Sequence, residues 1–163
     1  MPTKQIVFAV VTFLHDLFTA VWIGGLITLG ITVLPSAKKV LGMGPQTKKL
    51  MDAIQKRLSV LVYVSIVGLV LTGFLQANRS PAFQGLFSFG NLYSTVLTLK
   101  HILVLAMIAV ALYRSLVLGR RSGPSTPSQE KLSAGLLFLN IVLGVAVLLL
   151  SGFSAALASG PPA

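Results

Sequence analysis

Phe13–Leu26 reads FLHDLFTAVWIGGL, and how this stretch is read decides the fold. It lies inside an apolar run from Ile6 to Leu34 that ends at Pro35. A membrane helix needs about 20 mostly apolar residues, and this run exceeds that. At 1.5 Å per residue it is about 40 Å long, so it must tilt or protrude. A cleavable signal peptide has an apolar core of only about 7–15 residues, which is too short to describe it. His15 and Asp16 stand in the middle of the run, where an ionisable group costs a few kcal/mol or more, so something must compensate them.

Three more runs qualify as spans: Leu58–Leu75, Val96–Leu118 and Leu132–Leu157. Composition agrees. The 163 residues are 55% hydrophobic and only 10% charged, where a soluble domain carries about a quarter charged residues. The expected fold is all-α, a single integral membrane four-helix domain over 1–163, with two tandem hairpins as one arrangement. LTGF at 71–74 and LSGF at 150–153 sit at matching places in the two halves and hint at that repeat. Six glycines, Gly24, Gly25, Gly68, Gly73, Gly144 and Gly152, are candidates for close helix approach.

Charge sets the expected orientation. Lys38, Lys39, Lys48, Lys49, Lys56 and Arg57 lie between spans one and two, and Arg114, Arg120, Arg121 and Lys131 lie around the connection between spans three and four. The connection between spans two and three holds only Arg79. The positive-inside rule then makes both basic loops cytoplasmic and leaves both termini outside, in a prokaryotic cytoplasmic membrane. The net charge of +10 is thus a topology signal with some anionic-lipid contact, not a nucleic-acid footprint. Leu50, Ile54 and Leu58 recur at helical spacing, which predicts a short interfacial helix before span two. RRSGPSTPSQE at 120–130 reads as a turn-rich loop.

The chain has two histidines, His15 and His101. His15 lies about 14 Å into span one and His101 about 8–12 Å into span three, both in the outer half. Two helices of a bundle can face one another, so a bis-histidine site is open. With no cysteine, iron–sulfur clusters and thiolate metal sites are excluded. Two imidazoles without thiols suit haem b, with His15 and His101 as axial ligands. Trp22 would pack on the ring, and Lys100 with Arg79 would meet the propionates. Asp16 would orient an imidazole or balance Lys100. Copper is the other metal candidate, although a Cu(I) site favours thiols and thioethers. Asn140, in the inner half of span four, is expected to hydrogen-bond between helices.

LHDLFTAVWIGGL at 14–26 resembles the H-x(6)-W-x-G-G signature of the CopD-like membrane domain. LKHILVLAMIAVALYR at 99–114 and LVLTGF at 69–74 resemble the later helices of the same family. The resemblance implies a relation to copper-resistance proteins and to the HemJ-type protoporphyrinogen oxidases. In the latter an important histidine and lysine would correspond to His15 and Lys100. The arginine-containing segment of those oxidases, resembling LPRLF, is replaced here by ITLGITVLPSAKK at 27–39. The expectation is a haem b protein of membrane electron transfer or haem-linked redox chemistry, an oxidoreductase if it is an enzyme. The alternatives are copper transport or resistance, a protoporphyrinogen oxidase, and an accessory subunit of a larger complex. Expected partners are membrane lipid, a redox partner or quinone, and an oligomeric or complex neighbour.

Overall fold

The computed structural model describes residues 3–77, 83–118 and 126–159, and these form four long helices with no strand among them. The first span is α1 (Thr3–Ile27), a π-helical segment Thr28–Val33, and α2 (Leu34–Leu41). The second is α3 (Pro45–Ala77). The third is α4 (Leu92–Leu112) followed by a second π-helical segment, Tyr113–Leu118. The fourth is α5 (Pro127–Ser159). All four are long and apolar enough to cross a membrane, so this is an integral membrane protein.

Pro35 does not end the first span. Proline lacks an N–H and its ring crowds the carbonyl four residues back, here that of Ile31. The helix widens instead, and Leu34 N–H donates to the Leu29 carbonyl five residues back. The chain then continues to Leu41 and turns at Gly42, whose φ of 73° suits glycine. The interfacial helix expected before span two is not separate either. No breaker stands between Thr47 and Leu58, so α3 runs on as one helix. At the start of α5, Thr126 and Gln129 cap one another. Gln129 N–H donates to Thr126 Oγ1 at 3.3 Å, and Thr126 N–H donates to Gln129 Oε1 at 3.2 Å.

The spans pack as two hairpins, α1 against α3 and α4 against α5, joined mainly where α1 meets α5. The first hairpin closes through glycines. The Phe18 ring lies where a side chain at Gly68 would be, and Leu58 Cδ1 is 2.7 Å from a Cβ built at Gly25. At the joint, a Cβ at Gly144 would meet Ile23 at 3.1 Å and Met107 at 3.3 Å. Gly24 and Gly152 have no such neighbour among the described residues. The core around the joint holds Trp22, Ile23 and Leu26 of α1, Val62 of α3, Met107 of α4, and Leu137, Ile141 and Val147 of α5.

The segment before α4 folds back on that helix. Asn91 Oδ1 accepts from Ser94 N–H at 2.7 Å and caps α4. Buried Thr98 donates to the Ser88 carbonyl at 3.0 Å and accepts from Ser88 N–H at 3.1 Å. This pins the connection over the end of the bundle opposite the basic loops. Arg79 lies outside the described residues.

Candidate functional site

His15 sits about 18 Å along α1 from Thr3, and Thr72 sits in the last turns of antiparallel α3. The pairing of Phe18 with Gly68 sets the register, and one turn further it brings His15 onto Thr72 and Gly73. His15 Nδ1 is 2.9 Å from Thr72 Oγ1. The Thr72 hydroxyl donates its single proton to the Gly68 carbonyl at 2.7 Å. Its oxygen therefore accepts from His15, which makes Nδ1 the protonated nitrogen and leaves the Nε2 lone pair for a ligand. The ring lies beside Gly73, where a Cβ would stand 3.4 Å from His15 Cε1. Thr19 Oγ1 donates to the His15 carbonyl at 2.8 Å and ties up the turn that follows.

From the other hairpin, Lys100 brings a positive charge that acts on both His15 and Asp16. Asp16 is the compensating carboxylate, on the exposed side of α1. His101 follows Lys100 on α4 and is half-buried. Its Nδ1 is buried without a hydrogen bond among the described residues. Lys100 thus brings its charge to His15 and Asp16 across the two hairpins, with His101 beside it on α4. Ser151 of LSGF makes the same back-bond as Thr72 of LTGF, to the Val147 carbonyl at 2.9 Å. Nδ1 of His101 makes no counterpart of the His15–Thr72 bond among the described residues, so the two halves differ at this point.

The haem b expectation finds no support in this geometry. His15 faces Thr72 and Gly73 of α3, and α1 and α4 are not a packed pair. Trp22, placed against the macrocycle on sequence grounds, is instead wedged in the core, 2% exposed and in one cluster with Ile23 and Met107. Among the described residues no three His, Cys, Asp or Glu side chains converge on a common point. Met107 is buried in the same core, and Met43 and Met51 belong to the end with the basic loops, so no thioether among the described residues joins the histidines. Donors for a metal there are imidazole nitrogens and one carboxylate. Imidazole suits copper, while the neighbouring ammonium of Lys100 disfavours a dication and tolerates a monocation better.

Sequence reasoning missed Thr72 and Gly73 as partners of His15. No sequence signal set that register: it is Phe18 seated on Gly68 that brings residues 15 and 72 together one turn further along.

No curated protein and no solved structure matches the chain. One family does match, Copper resistance protein D, over residues 52–154. That range is more than half of the sequence and includes Thr72, Lys100, His101, Arg114 and Asn140, while the His15–Trp22 motif precedes it. With four apolar spans in two packed hairpins, the chain belongs to the copper resistance protein D family.

Proposed function

We propose that the protein handles copper at the membrane, in transport or resistance, and that copper meets the bundle at His15. The observation that carries this reading is the family match over residues 52–154. The oriented imidazole adds to it, because a His15 whose Nδ1–H is held by Thr72 offers Nε2 as a ready ligand. His101, half-buried on α4, is the other imidazole of this part of the bundle, and Asp16 offsets the charge of Lys100. In this reading the basic loops face the cytoplasm and both termini face outward, so copper reaches the cluster from outside.

A copper-growth series in a deletion strain tests the proposal. Wild type should restore the copper-dependent growth and cell copper content that the deletion alters. His15→Ala should fail to restore either at equal protein level. Thr72→Val keeps the shape of the side chain and removes the acceptor. It should weaken copper binding by the about 10–100-fold typical of losing a ligand's supporting hydrogen bond. If the deletion leaves growth and copper content unchanged, or if His15→Ala complements fully, the reading is wrong.

A further inference from the structure

At the end of the bundle that carries the basic loops, a cavity of about 30 Å³ lies among three spans and touches the first. Gln55, Ser59 and Tyr63 line it from α3, Arg114 and Ser115 from the second π-helical segment, and Asn140 from α5. Gln55, Ser59 and Tyr63 follow one another at four-residue spacing and so form one polar stripe on an otherwise apolar helix. Asn140 is 0% exposed, and neither its amide oxygen nor its amide nitrogen has a partner. The expected interhelical hydrogen bond of Asn140 is therefore not made among the described residues. Arg114 is 7% exposed and its Nε is likewise buried and unpaired, as is the Tyr63 hydroxyl.

Such a group of orphans is costly. A buried guanidinium without a counter-charge is disfavoured, and each unmet polar atom adds to the cost. No carboxylate lines the cavity. Of the chain's three acidic residues, Asp16 belongs to the histidine cluster, and Asp52 and Glu130 are not among the lining residues. The lining is rich in donors: a guanidinium, two amide NH2 groups, a phenol and two hydroxyls. A planar guanidinium with convergent neutral donors is the arrangement that recognises an oxyanion. The backbone also departs from α-helix where Arg114 enters, since Tyr113–Leu118 is π-helical.

We propose that this cleft binds a phosphate group, gripped by the Arg114 fork and supported by Asn140 and Tyr63. Two sources share that chemistry. α3 and α4 make little direct contact, so a lipid headgroup phosphate could enter sideways between them. Inorganic phosphate could come from the basic-loop side, concentrated by Lys48, Lys56 and Arg57.

The test is thermal unfolding of the delipidated full chain in neutral detergent. It is titrated separately with phosphatidylglycerol, with diacylglycerol of the same tails, and with inorganic phosphate. A Tm that rises by several degrees with phosphatidylglycerol and not with diacylglycerol or inorganic phosphate supports the site with a lipid as its source. A rise with millimolar inorganic phosphate supports it with the free ion as its source. In either case Arg114→Gln should abolish the shift. Arg114→Lys keeps the charge and loses the fork, so its half-maximal concentration should rise at least ten-fold. Lys49→Gln, on the exposed surface, should leave the shift intact. The proposal fails if phosphatidylglycerol and inorganic phosphate both leave Tm unmoved. It fails equally if diacylglycerol matches phosphatidylglycerol, if Arg114→Lys responds like wild type, or if Lys49→Gln loses as much as Arg114→Lys.

Discussion

Trp22→Ala should destabilise the bundle by about 3–5 kcal/mol, and Trp22→Phe by well under half of that. Trp22 is the largest of the fully buried side chains and shares one cluster with Ile23, Leu26 and Met107. Expulsion of apolar groups from water contributes little between membrane helices, so their association rests on packing. Removing the indole opens a cavity whose walls lose their contacts, in a core to which all four spans contribute. Phenylalanine restores most of the volume. It gives up no hydrogen bond, because Nε1 of Trp22 is buried without a partner. Reversible unfolding of the purified variants in mixed micelles with increasing sodium dodecyl sulfate measures both values. A Trp22→Phe variant as unstable as Trp22→Ala would mean that the indole N–H has a partner, and the packing account would be wrong.

Gly68→Val should be the second severe lesion, and it should reach the histidine cluster. A side chain at residue 68 occupies the place of the Phe18 ring, and the glycine's helix supplies Thr72 one turn later. Overpacking of this kind costs about 1–3 kcal/mol where the neighbour can move. Moving Phe18 forces α3 away from α1 and pulls Thr72 from His15. The variant should therefore lose both unfolding stability and copper complementation. A compensating Phe18→Ala in the same chain should recover a good part of the stability, because it frees the space that the new side chain needs. A double variant no better than Gly68→Val alone would show that the clash lies elsewhere. Gly73→Ala is the mild counterpart, since its Cβ would stand at ordinary contact distance from His15 Cε1.

The sequence alone determined a good deal. Length and hydropathy gave four spans, because a helix crossing hydrocarbon must satisfy its own backbone and stay apolar for about 20 residues. Those rules act within one segment and are legible without knowing its neighbours. His15, Asp16, Lys100 and His101 were legible as an exceptional group for the same reason: ionisable residues are costly at membrane depth. A rise of 1.5 Å per residue gave the expectation that His15 and His101 lie at similar depth.

Azimuth and partner choice were decided only by tertiary structure. Depth puts two imidazoles at one level, but which neighbour each faces depends on helix rotation, and that depends on how side chains pack into glycine gaps. Phe18 seated on Gly68 turns His15 toward Thr72, and Ile23 and Met107 close on Gly144 and enclose Trp22. Continuation through Pro35 was likewise hidden, because a proline ends most helices and a π-helical turn that absorbs it leaves no simple sequence mark. Arg114 read as a topology signal and Asn140 as an interhelical hydrogen-bonder. Only packing showed that both are buried around one cavity with their polar atoms unmet, since satisfaction of a polar group depends on three-dimensional neighbours that no single segment specifies.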